Sequence, residues 1–298
     1  MESTNNNIFD GELSLVNKAI ESCEHLIQNG SEIEKVIAAE NYALSAGGKR
    51  IRPILCMEFY RLFGGKGDIS DIAICLELMH TFSLIHDDMP EMDNDDFRRG
   101  KPSCHIQYGS ACALLAGDGL SLLPFEIIWD MSIAERINSE TAAKLMGYLA
   151  KAAGNRGMIM GQMMDLYSEG NSCNIDFLTE MSSLKTGCIL KAACAWGAIL
   201  AGVSDNEIKC AEEYAANLGL AFQIVDDILD VTGDEAVLGK PIGSDKSRNK
   251  NTFADILGID AAFNLASEYT EKAVSAIRGI EGSERLCCLA NELLIRKK

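Results

Sequence analysis

Hydrophobic residues recur at spacings of three and four along most of the chain, which is the period of an amphipathic α-helix. The pattern is clearest in LSLVNKAIESCEHLI at 13–27, IAICLELMHTFSLIH at 72–86 and CAEEYAANLGLAFQIVDDIL at 210–229. No segment alternates apolar and polar residues in the manner of a strand that leads into a hairpin turn. The pattern therefore predicts an all-α fold with roughly ten or more helices of ordinary length.

Two polar stretches, 88–104 and 231–252, interrupt the helical pattern, and each begins at a cluster of aspartates. No linker rich in proline, glycine and serine divides the sequence, and no repeat of fixed period is visible. Residues 1–298 are therefore predicted to form a single domain.

The composition is that of a globular protein, since 47% of the 298 residues are hydrophobic and 24% are charged. The eleven cysteines include no CxxC pair, which argues against a disulfide framework or a zinc site and favours a reducing compartment. The N-terminal MESTNNNIFDGELS lacks the basic and apolar regions of a secretory signal, and apolar stretches such as 192–203 are too short to cross a bilayer. We therefore expect a soluble cytoplasmic protein without stable membrane association.

The first acidic cluster adds negative charge to a chain whose formal net charge is already −17, a balance that disfavours nucleic acid as a partner. Five aspartates lie within ten positions, shortly before Arg98 and Arg99. They are Asp87, Asp88, Asp93, Asp95 and Asp96. Like charges this close repel one another, so either water solvates them or a cation binds among them.

The second acidic cluster lies in FQIVDDILD at 222–230. On a helix, Asp230 shares one face with Asp226 and Asp227, with about 5–6 Å between Cβ atoms. A solvated acidic face is one interpretation. A cavity that holds cations explains the arrangement better, because the aspartates are surrounded by Ile224, Val225, Ile228 and Leu229.

The first cluster also follows an apolar helix. Pro90 cannot continue that helix, so Asp87 and Asp88 are predicted in its last turn and Asp93 just beyond it. An EF-hand loop is excluded, because Arg98 occupies the position of its glycine and no glutamate stands at the twelfth place. Carboxylates without histidine or thiol companions suit Mg²⁺, which keeps much of its water and is completed by substrate phosphate oxygens.

Five short motifs in this order resemble those of the trans-prenyltransferases of the polyprenyl diphosphate synthase family, from about residue 40 to residue 260. They are GGKRIRP at 47–53, DDMPEMD at 87–93 followed by RRG, KTG at 185–187, FQIVDDILD at 222–230, and GKPIGSD at 239–245 leading into NKNTF. The chain is most similar to the bacterial and plastid type of farnesyl and geranylgeranyl diphosphate synthase.

The resemblance implies the fold and the site. The family's fold is the all-α isoprenoid synthase type I helical bundle around a central cavity, and the family is homodimeric. About three Mg²⁺ ions would hold the diphosphate of the allylic substrate on Asp87, Asp88, Asp93, Asp226, Asp227 and Asp230. The same diphosphate would be paired by Arg98, Lys185 and Lys240, joined by Lys250. The metal-free site for isopentenyl diphosphate would consist of Gly48, Lys49, Arg52, His80 and Arg99.

The resemblance also implies the reaction, the condensation of isopentenyl diphosphate with dimethylallyl or geranyl diphosphate, with Thr186 and Gln223 lining the gap where the allylic cation forms. Ser83 is one helical turn before Asp87, and Phe82 is about 7.5 Å down the helix axis. In the family an aromatic residue at this place blocks the growing tail, so Phe82 favours farnesyl diphosphate, the C15 product.

Several alternatives stay open. A geranylgeranyl diphosphate synthase, a terpene cyclase and a non-catalytic partner subunit share part of the pattern. Taken alone, Lys49, Arg52 and Lys185 are compatible with surface charges and His80 with a core histidine, while Cys104 and His105 are interpreted as structural. The C-terminal LLIRKK is interpreted as a loose lid or a tail.

Overall fold

A computed structural model describes residues 8–28, 31, 34–232 and 251–296. Within these residues the chain forms fourteen α-helices: α1 Asp10–Glu21, α2 Lys35–Leu44, α3 Ile51–Leu62, α4 Ser70–Asp87, α5 Cys104–Tyr108, α6 Ser110–Ile133, α7 Ser139–Ala153, α8 Met158–Ser168, α9 Ile175–Ser182, α10 Cys188–Ala201, α11 Asp205–Thr232, α12 Phe253–Leu257, α13 Ile259–Ile277 and α14 Glu284–Ile295. A 3₁₀ turn spans Glu24–Leu26, and a π-helical segment spans Ser183–Gly187. The prediction of an all-α fold is confirmed.

The three segments with the clearest periodicity differ in how closely they match their helices. Residues 72–86 lie inside α4 and residues 210–229 lie inside α11, as predicted. The first segment was predicted to be helical to residue 27, but α1 ends at Glu21. There the Ser22 hydroxyl donates to the carbonyl of Lys18 (2.9 Å), a side-chain bond that competes with continuation of the helix.

A short hairpin departs from the expectation that the chain has no strand with a hairpin turn. Strands β1 Phe97–Arg98 and β2 Lys101–Pro102 pair antiparallel, with Arg98 opposite Lys101. Both turn residues have positive φ, 53° at Arg99 and 76° at Gly100, which is the geometry of a type I′ turn. Strands of two residues are too short to show alternation, so the sequence pattern could not reveal them.

The described residues divide into two compact units, which lie within residues 1–57 and 66–146 and within residues 58–65 and 147–298. The prediction of a single domain over residues 1–298 stays a prediction. In the first unit α6 packs on α2, α4 and α5. Two glycines of α6 permit this approach: a side chain at Gly117 would collide with the imidazole of His86, and one at Gly119 with the carboxylate of Glu40.

The second unit is organised by the long helix α11, which contacts α10, α13, α14 and the π-helical segment. Ile224, Val225 and Ile228 of α11 form an apolar cluster with Phe253 of α12 and with residues of α9 and α13. Tyr214, also on α11, is fully buried and donates its hydroxyl hydrogen to the carbonyl of Leu286 (2.8 Å). The second acidic motif therefore lies on the most heavily packed helix of this unit.

Two helical stretches are long and apolar enough to cross a membrane when only length and composition are considered. They are Ser110–Ile133, with a mean hydropathy of 1.6, and Ile175–Ala201, with 1.3. The apolar run at 192–203, predicted to be too short to cross a bilayer, overlaps the second of these longer stretches. Of these two windows 44% and 61% are buried inside the protein, and core helices pass the same test.

Glu40 is a buried carboxyl group of the first unit, 6% exposed, and lies against Gly119 of α6. Burial, and then the charge of Glu126, raise the pKa of Glu40 from 4.5 to about 7. Because the folded-state pKa lies above that of an exposed glutamate, ionisation of Glu40 destabilises the folded state as the pH rises from about 5 to above 7.

We therefore expect Glu40→Gln to raise the free energy of unfolding by about 1–3 kcal/mol at pH 8, with a smaller gain at pH 5. Urea denaturation at the two pH values measures the difference. Glu140→Gln is the control, since this exposed carboxylate is paired with Lys144 and its loss should give no gain at pH 8. An equal effect of Glu40→Gln at both pH values would contradict the assignment.

Candidate active site

The first acidic motif is held at the end of α4. The helix ends at Asp87, and the amide of Asp93 donates back to the carbonyl of Asp87 (2.8 Å), which folds the motif into a turn. The side chain of Asp88 is 3% exposed and accepts from Nε of Arg98 at both oxygens (3.0 and 3.1 Å) as well as from its Nη2. Burial raises the pKa of Asp88, and the guanidinium of Arg98 opposes that rise. A protein cation thus neutralises the buried carboxylate.

The hairpin that carries Arg98 also places Arg99. Nη1 of Arg99 donates to the carbonyl of Gly47, and the guanidinium lies so close to Gly48 that any side chain there would collide with it. Gly47 and Gly48 have φ values of 83° and 133°, which disfavour residues with a Cβ. Gly48 is therefore required by the approach of Arg99, whereas Gly47 is required by its positive φ alone.

Arg50 has a different role from the other basic residues of GGKRIRP. Its Nη1 binds Oε1 of Glu77 (2.7 Å), its Nη2 donates to the carbonyl of Leu44 (2.5 Å), and its φ is 49°. The side chains of Arg50 and Glu77 are 3% and 2% exposed. This ion pair fastens the GGKRIRP loop to α4. The sequence analysis missed both residues, although a lone glutamate within an apolar stretch of α4 was a visible signal.

Arg52 lies instead in a cluster of positive charge. Its Nε is buried and has no hydrogen-bond partner among the described residues. Burial and the nearby charge of Arg99, opposed by the carboxylate of Glu77, lower the pKa of Arg52 to about 10. His80 is next to the same groups: burial and then Arg52 and Arg99 hold the pKa of its imidazole well below the usual range. The structure thus brings Arg52, Arg99 and a neutral His80 together, with Lys49 exposed in the adjoining loop.

In the second unit, a π-helical turn over Ser183–Gly187 presents Lys185 and Thr186. A side chain at Gly161 of α8 would collide with the backbone of Lys185, and Gly219 of α11 lies against Gly187. The turn is therefore fixed between two helices by close backbone contact, as is common for π-bulges at functional sites.

Lys185 does not face solvent as its isolated position in the sequence would suggest. Its Nζ binds Oδ2 of Asp165 on α8 (2.6 Å), and the Asp165 side chain is 8% exposed. The pairing fixes the ammonium group on one side of the π-turn. Asp165 lies in GQMMDL and was missed by the sequence analysis, because only the fold reveals its partner.

The second acidic motif continues a hydrogen-bonded chain from the same turn. The Thr186 hydroxyl donates to Oε1 of Gln223 (3.3 Å), and Nε2 of Gln223 donates to Oδ1 of Asp227 (3.0 Å). The amide of Phe253 donates to Oδ2 of Asp227 (2.9 Å). Asp227 and Asp230 are 6% and 2% exposed, so a solvated acidic face is excluded for these two carboxylates.

Asp226, the first residue of this motif, is partly exposed and pairs with Arg296 through Oδ1 and Nη2 (2.7 Å). Helix α14 reaches Ile295, and the side chain of Arg296 is 8% exposed. The interpretation of LLIRKK as a loose lid or tail is therefore wrong as far as residue 296.

Possible metal ligands are present but not assembled. Among the residues that the structure describes, no three His, Cys, Asp or Glu side chains are close enough together to hold an ion. Asp88, Asp226 and Asp227 accept hydrogen bonds from protein donors. At Asp88 and Asp226 the donor is a guanidinium, which occupies the position that a metal ion would take. Hard carboxylate oxygens beside a stand-in cation fit Mg²⁺ in chemistry. Lys240 and Lys250 lie outside the described residues.

Phe82 and Ser83, the residues predicted to set product length, lie on α4 before the first motif. The half-buried ring of Phe82 stacks edge to face on His86 with centroids 4.9 Å apart. His86 in turn lies against Gly117, so this side of α4 faces α6. The Ser83 hydroxyl donates to the carbonyl of His80 (2.8 Å). Cys104 and His105 are buried, and His105 bonds Ser103, which supports a structural role.

Comparison with known proteins gives one family. The family model described as polyprenyl synthetase matches residues 33–281. Farnesyl diphosphate synthase from Geobacillus stearothermophilus is 41% identical over 86% of this chain and 85% of its own. The large subunit 1 of heterodimeric geranylgeranyl pyrophosphate synthase from Arabidopsis thaliana, a chloroplastic protein, is 39% identical over 95% of this chain and 77% of its own. The crystal structure of geranyltransferase from Helicobacter pylori, complexed with magnesium and isoprenyl diphosphate, covers 98% of each chain with a TM-score of 0.84 and 30% identity.

The buried pair of Arg50 and Glu77 gives a stability prediction. Glu77→Ala leaves an uncompensated guanidinium in the interior and should lower the free energy of unfolding by about 3–5 kcal/mol. Asp71→Ala, on the same helix, removes an ion pair with Arg136 whose side chains are more than half exposed, and should cost less than about 1 kcal/mol. Denaturant unfolding measures both, and equal losses would contradict the assigned role of Arg50.

Proposed function

This chain belongs to the polyprenyl synthetase family, and on that premise we propose that it condenses isopentenyl diphosphate with dimethylallyl and geranyl diphosphate to make farnesyl diphosphate. The observation that carries the proposal is the cationic cluster of the first unit. A buried guanidinium atom of Arg52 without a partner among the described residues, beside Arg99 and a neutral His80, needs an anion to satisfy it.

Isopentenyl diphosphate is proposed to bind this cluster without a metal. Arg52 and Arg99 offer planar guanidinium groups that suit the oxygens of a diphosphate, and Lys49 adds a third positive charge. A neutral His80 can donate one hydrogen bond without adding charge. Gly48 allows Arg99 to lie directly on the loop, where a side chain would displace it.

The allylic diphosphate is proposed to bind through Mg²⁺ to the two acidic motifs, with about three ions per active site. The ligands would be Asp87, Asp88, Asp93, Asp226, Asp227 and Asp230. Arg98, Lys185, Lys240 and Lys250 would pair with the same diphosphate. The hard carboxylate donors support this proposal, as does the presence of magnesium and isoprenyl diphosphate in the Helicobacter pylori relative. When bound, Mg²⁺ would neutralise charge on the leaving diphosphate so that the allylic C–O bond can ionise.

The protein's own groups would act around that step. Arg98 and Lys185 would stabilise the departing diphosphate, and the diphosphate itself would take the proton released when isopentenyl diphosphate adds. Thr186 and Gln223 would turn their oxygen dipoles toward the allylic cation, since Asp227 fixes the amide of Gln223. Apolar walls, including Phe82, would keep water from the cation.

We also propose a homodimeric, cytoplasmic enzyme. Helix α6 exposes five large apolar side chains, which is more than a solvated helix needs, and a second copy of the chain would cover them. They are Leu114, Leu115, Leu122, Trp129 and Ile133. No disulfide forms among the cysteines that the structure describes, which is compatible with a reducing compartment.

An assay with labelled isopentenyl diphosphate and each allylic starter tests the reaction. Product should form with Mg²⁺ and fall by about 100-fold or more in excess chelator. Arg52→Met should raise the KM for isopentenyl diphosphate by about 10-fold with a smaller effect on the allylic KM. Arg136→Met, an exposed arginine of the same unit, should leave both constants unchanged. Undiminished turnover in chelator would contradict the proposal.

Product length is tested at Phe82. If its ring blocks the tail, the wild-type product is C15 and Phe82→Ala yields C20 or longer products, which reverse-phase chromatography resolves. Phe97→Ala removes an exposed phenylalanine of the same unit and should leave the product unchanged. A wild-type C20 product would favour geranylgeranyl diphosphate synthase, the second candidate, which the Arabidopsis relative supports. An unchanged C15 product in Phe82→Ala would remove Phe82 from the account.

A further inference from the structure

The pairing of the last described residue with the second acidic motif is not explained by the proposed reaction. Arg296 is 70 positions from Asp226 in sequence, yet its guanidinium binds the carboxylate of that residue at 2.7 Å. Nη2 also donates to the carbonyl of Phe222 (3.0 Å), and the guanidinium lies 3.8 Å from the centre of the Phe222 ring. A protein cation thus binds the first carboxylate of FQIVDDILD.

We infer that Arg296 is the resident counter-ion of Asp226 in the metal-free protein and that Mg²⁺ displaces it, which releases Arg296 from α11. The inference rests on the proposed function, because it takes Asp226 as a metal ligand. It adds a residue outside all five sequence motifs to the machinery that controls metal binding.

Competition follows from the size of the two cations and from the charge of the motif. Mg²⁺ binds carboxylate oxygens at about 2.0–2.1 Å, and a divalent charge on Asp226 would repel the guanidinium that binds Oδ1 of the same carboxylate. Without any cation, the carboxylates of Asp226, Asp227 and Asp230 would repel one another within one turn of α11. Arg296 relieves that repulsion until the metal does so.

The position of Arg296 after the end of α14 lowers the free-energy cost of its release. Helix α14 ends at Ile295, and Arg296 follows it with φ −59° and ψ 154°, so the side chain of Arg296 can leave Asp226 without unwinding the helix. Its Nε is buried without a hydrogen-bond partner among the described residues, so one donor is already unsatisfied in the docked state. Arg98, the corresponding partner of Asp88, differs because strand β1 holds its backbone.

Calorimetric titration of the full chain with MgCl₂, without substrate, tests the exchange. Arg296→Met removes the competitor and should tighten Mg²⁺ binding by about 3- to 10-fold. Arg278→Met is the matched control, because Arg278 pairs with Glu271 at an exposed site of the same unit and its loss should leave the affinity unchanged. Asp226→Asn should weaken Mg²⁺ binding.

The variants separate the inference from the proposed function. Unchanged or weaker binding in Arg296→Met, together with weaker binding in Asp226→Asn, would overturn the exchange and leave the metal role of Asp226 intact. Binding that is unaffected by Asp226→Asn would instead contradict the metal role itself, and the exchange with it.

Carboxypeptidase B digestion of the wild-type chain, followed by intact mass, gives a second measurement that needs no variant to fold. The enzyme removes Lys298 and Lys297 first, and the following removal of Arg296 should be slow in metal-free buffer and accelerate about 5-fold or more with Mg²⁺ and inorganic pyrophosphate, because only a released Arg296 is accessible. Asp226→Asn should lose Arg296 rapidly under both conditions. A wild-type rate that is the same with and without Mg²⁺ and pyrophosphate would overturn the inference.

Discussion

Neutralisation of buried carboxylates by arginine is the interaction on which the rest of this structure depends. A buried charge without a partner costs several kcal/mol, and this chain carries a formal net charge of −17. Glu77 is neutralised by Arg50, Asp88 by Arg98 and Lys185 neutralises Asp165 in the same manner. In two of the pairs the carboxylate lies on a regular α-helix, Glu77 on α4 and Asp165 on α8, and the cation comes from a loop or from the π-turn. The GGKRIRP loop and the π-turn therefore serve to place a cation beside a buried carboxylate.

The carboxylates of the acidic motifs and the guanidinium of Arg52 differ in their hydrogen-bond partners, and this difference points to the ligand. Asp88, Asp226 and Asp227 accept hydrogen bonds from protein donors, whereas Nε of Arg52 is buried without a partner among the described residues. A diphosphate would supply an acceptor for Nε of Arg52 and negative charge beside Arg52 and Arg99. Magnesium would supply a cation able to replace arginine at Asp88 and Asp226. A diphosphate bound together with Mg²⁺ would therefore complement both the cationic cluster around Arg52 and the acidic motifs.

Sequence periodicity predicted the helical fold and the burial of Asp227 and Asp230, because both depend on local spacing. Pro90 marked the end of α4 for the same reason, since its effect on the backbone is local. The different roles of Arg50 and Arg52 were not predictable, because only the positive φ of Arg50 turns one guanidinium toward Glu77. Local signals cannot report on contacts that form only when distant segments fold together.

The π-turn around Lys185 and the contact of Arg296 with α11 belong to this second group. The turn depends on Gly161 and Gly219, which come from helices on either side of it in sequence and allow close backbone approach. The arginine finds its partner 70 residues away. Neither arrangement follows from sequence spacing. The motifs therefore predicted the chemistry of the site, but not the residues that position its functional groups.

A crystal structure of the complex with Mg²⁺ and an unreactive thiolo analogue of an allylic diphosphate would test the central claim most directly. The account predicts metal ions on the carboxylate oxygens of Asp88 and Asp226, with the guanidinium groups of Arg98 and Arg296 no longer bonded to those oxygens. A complex in which the analogue is bound while both arginine–aspartate pairs remain intact would contradict it.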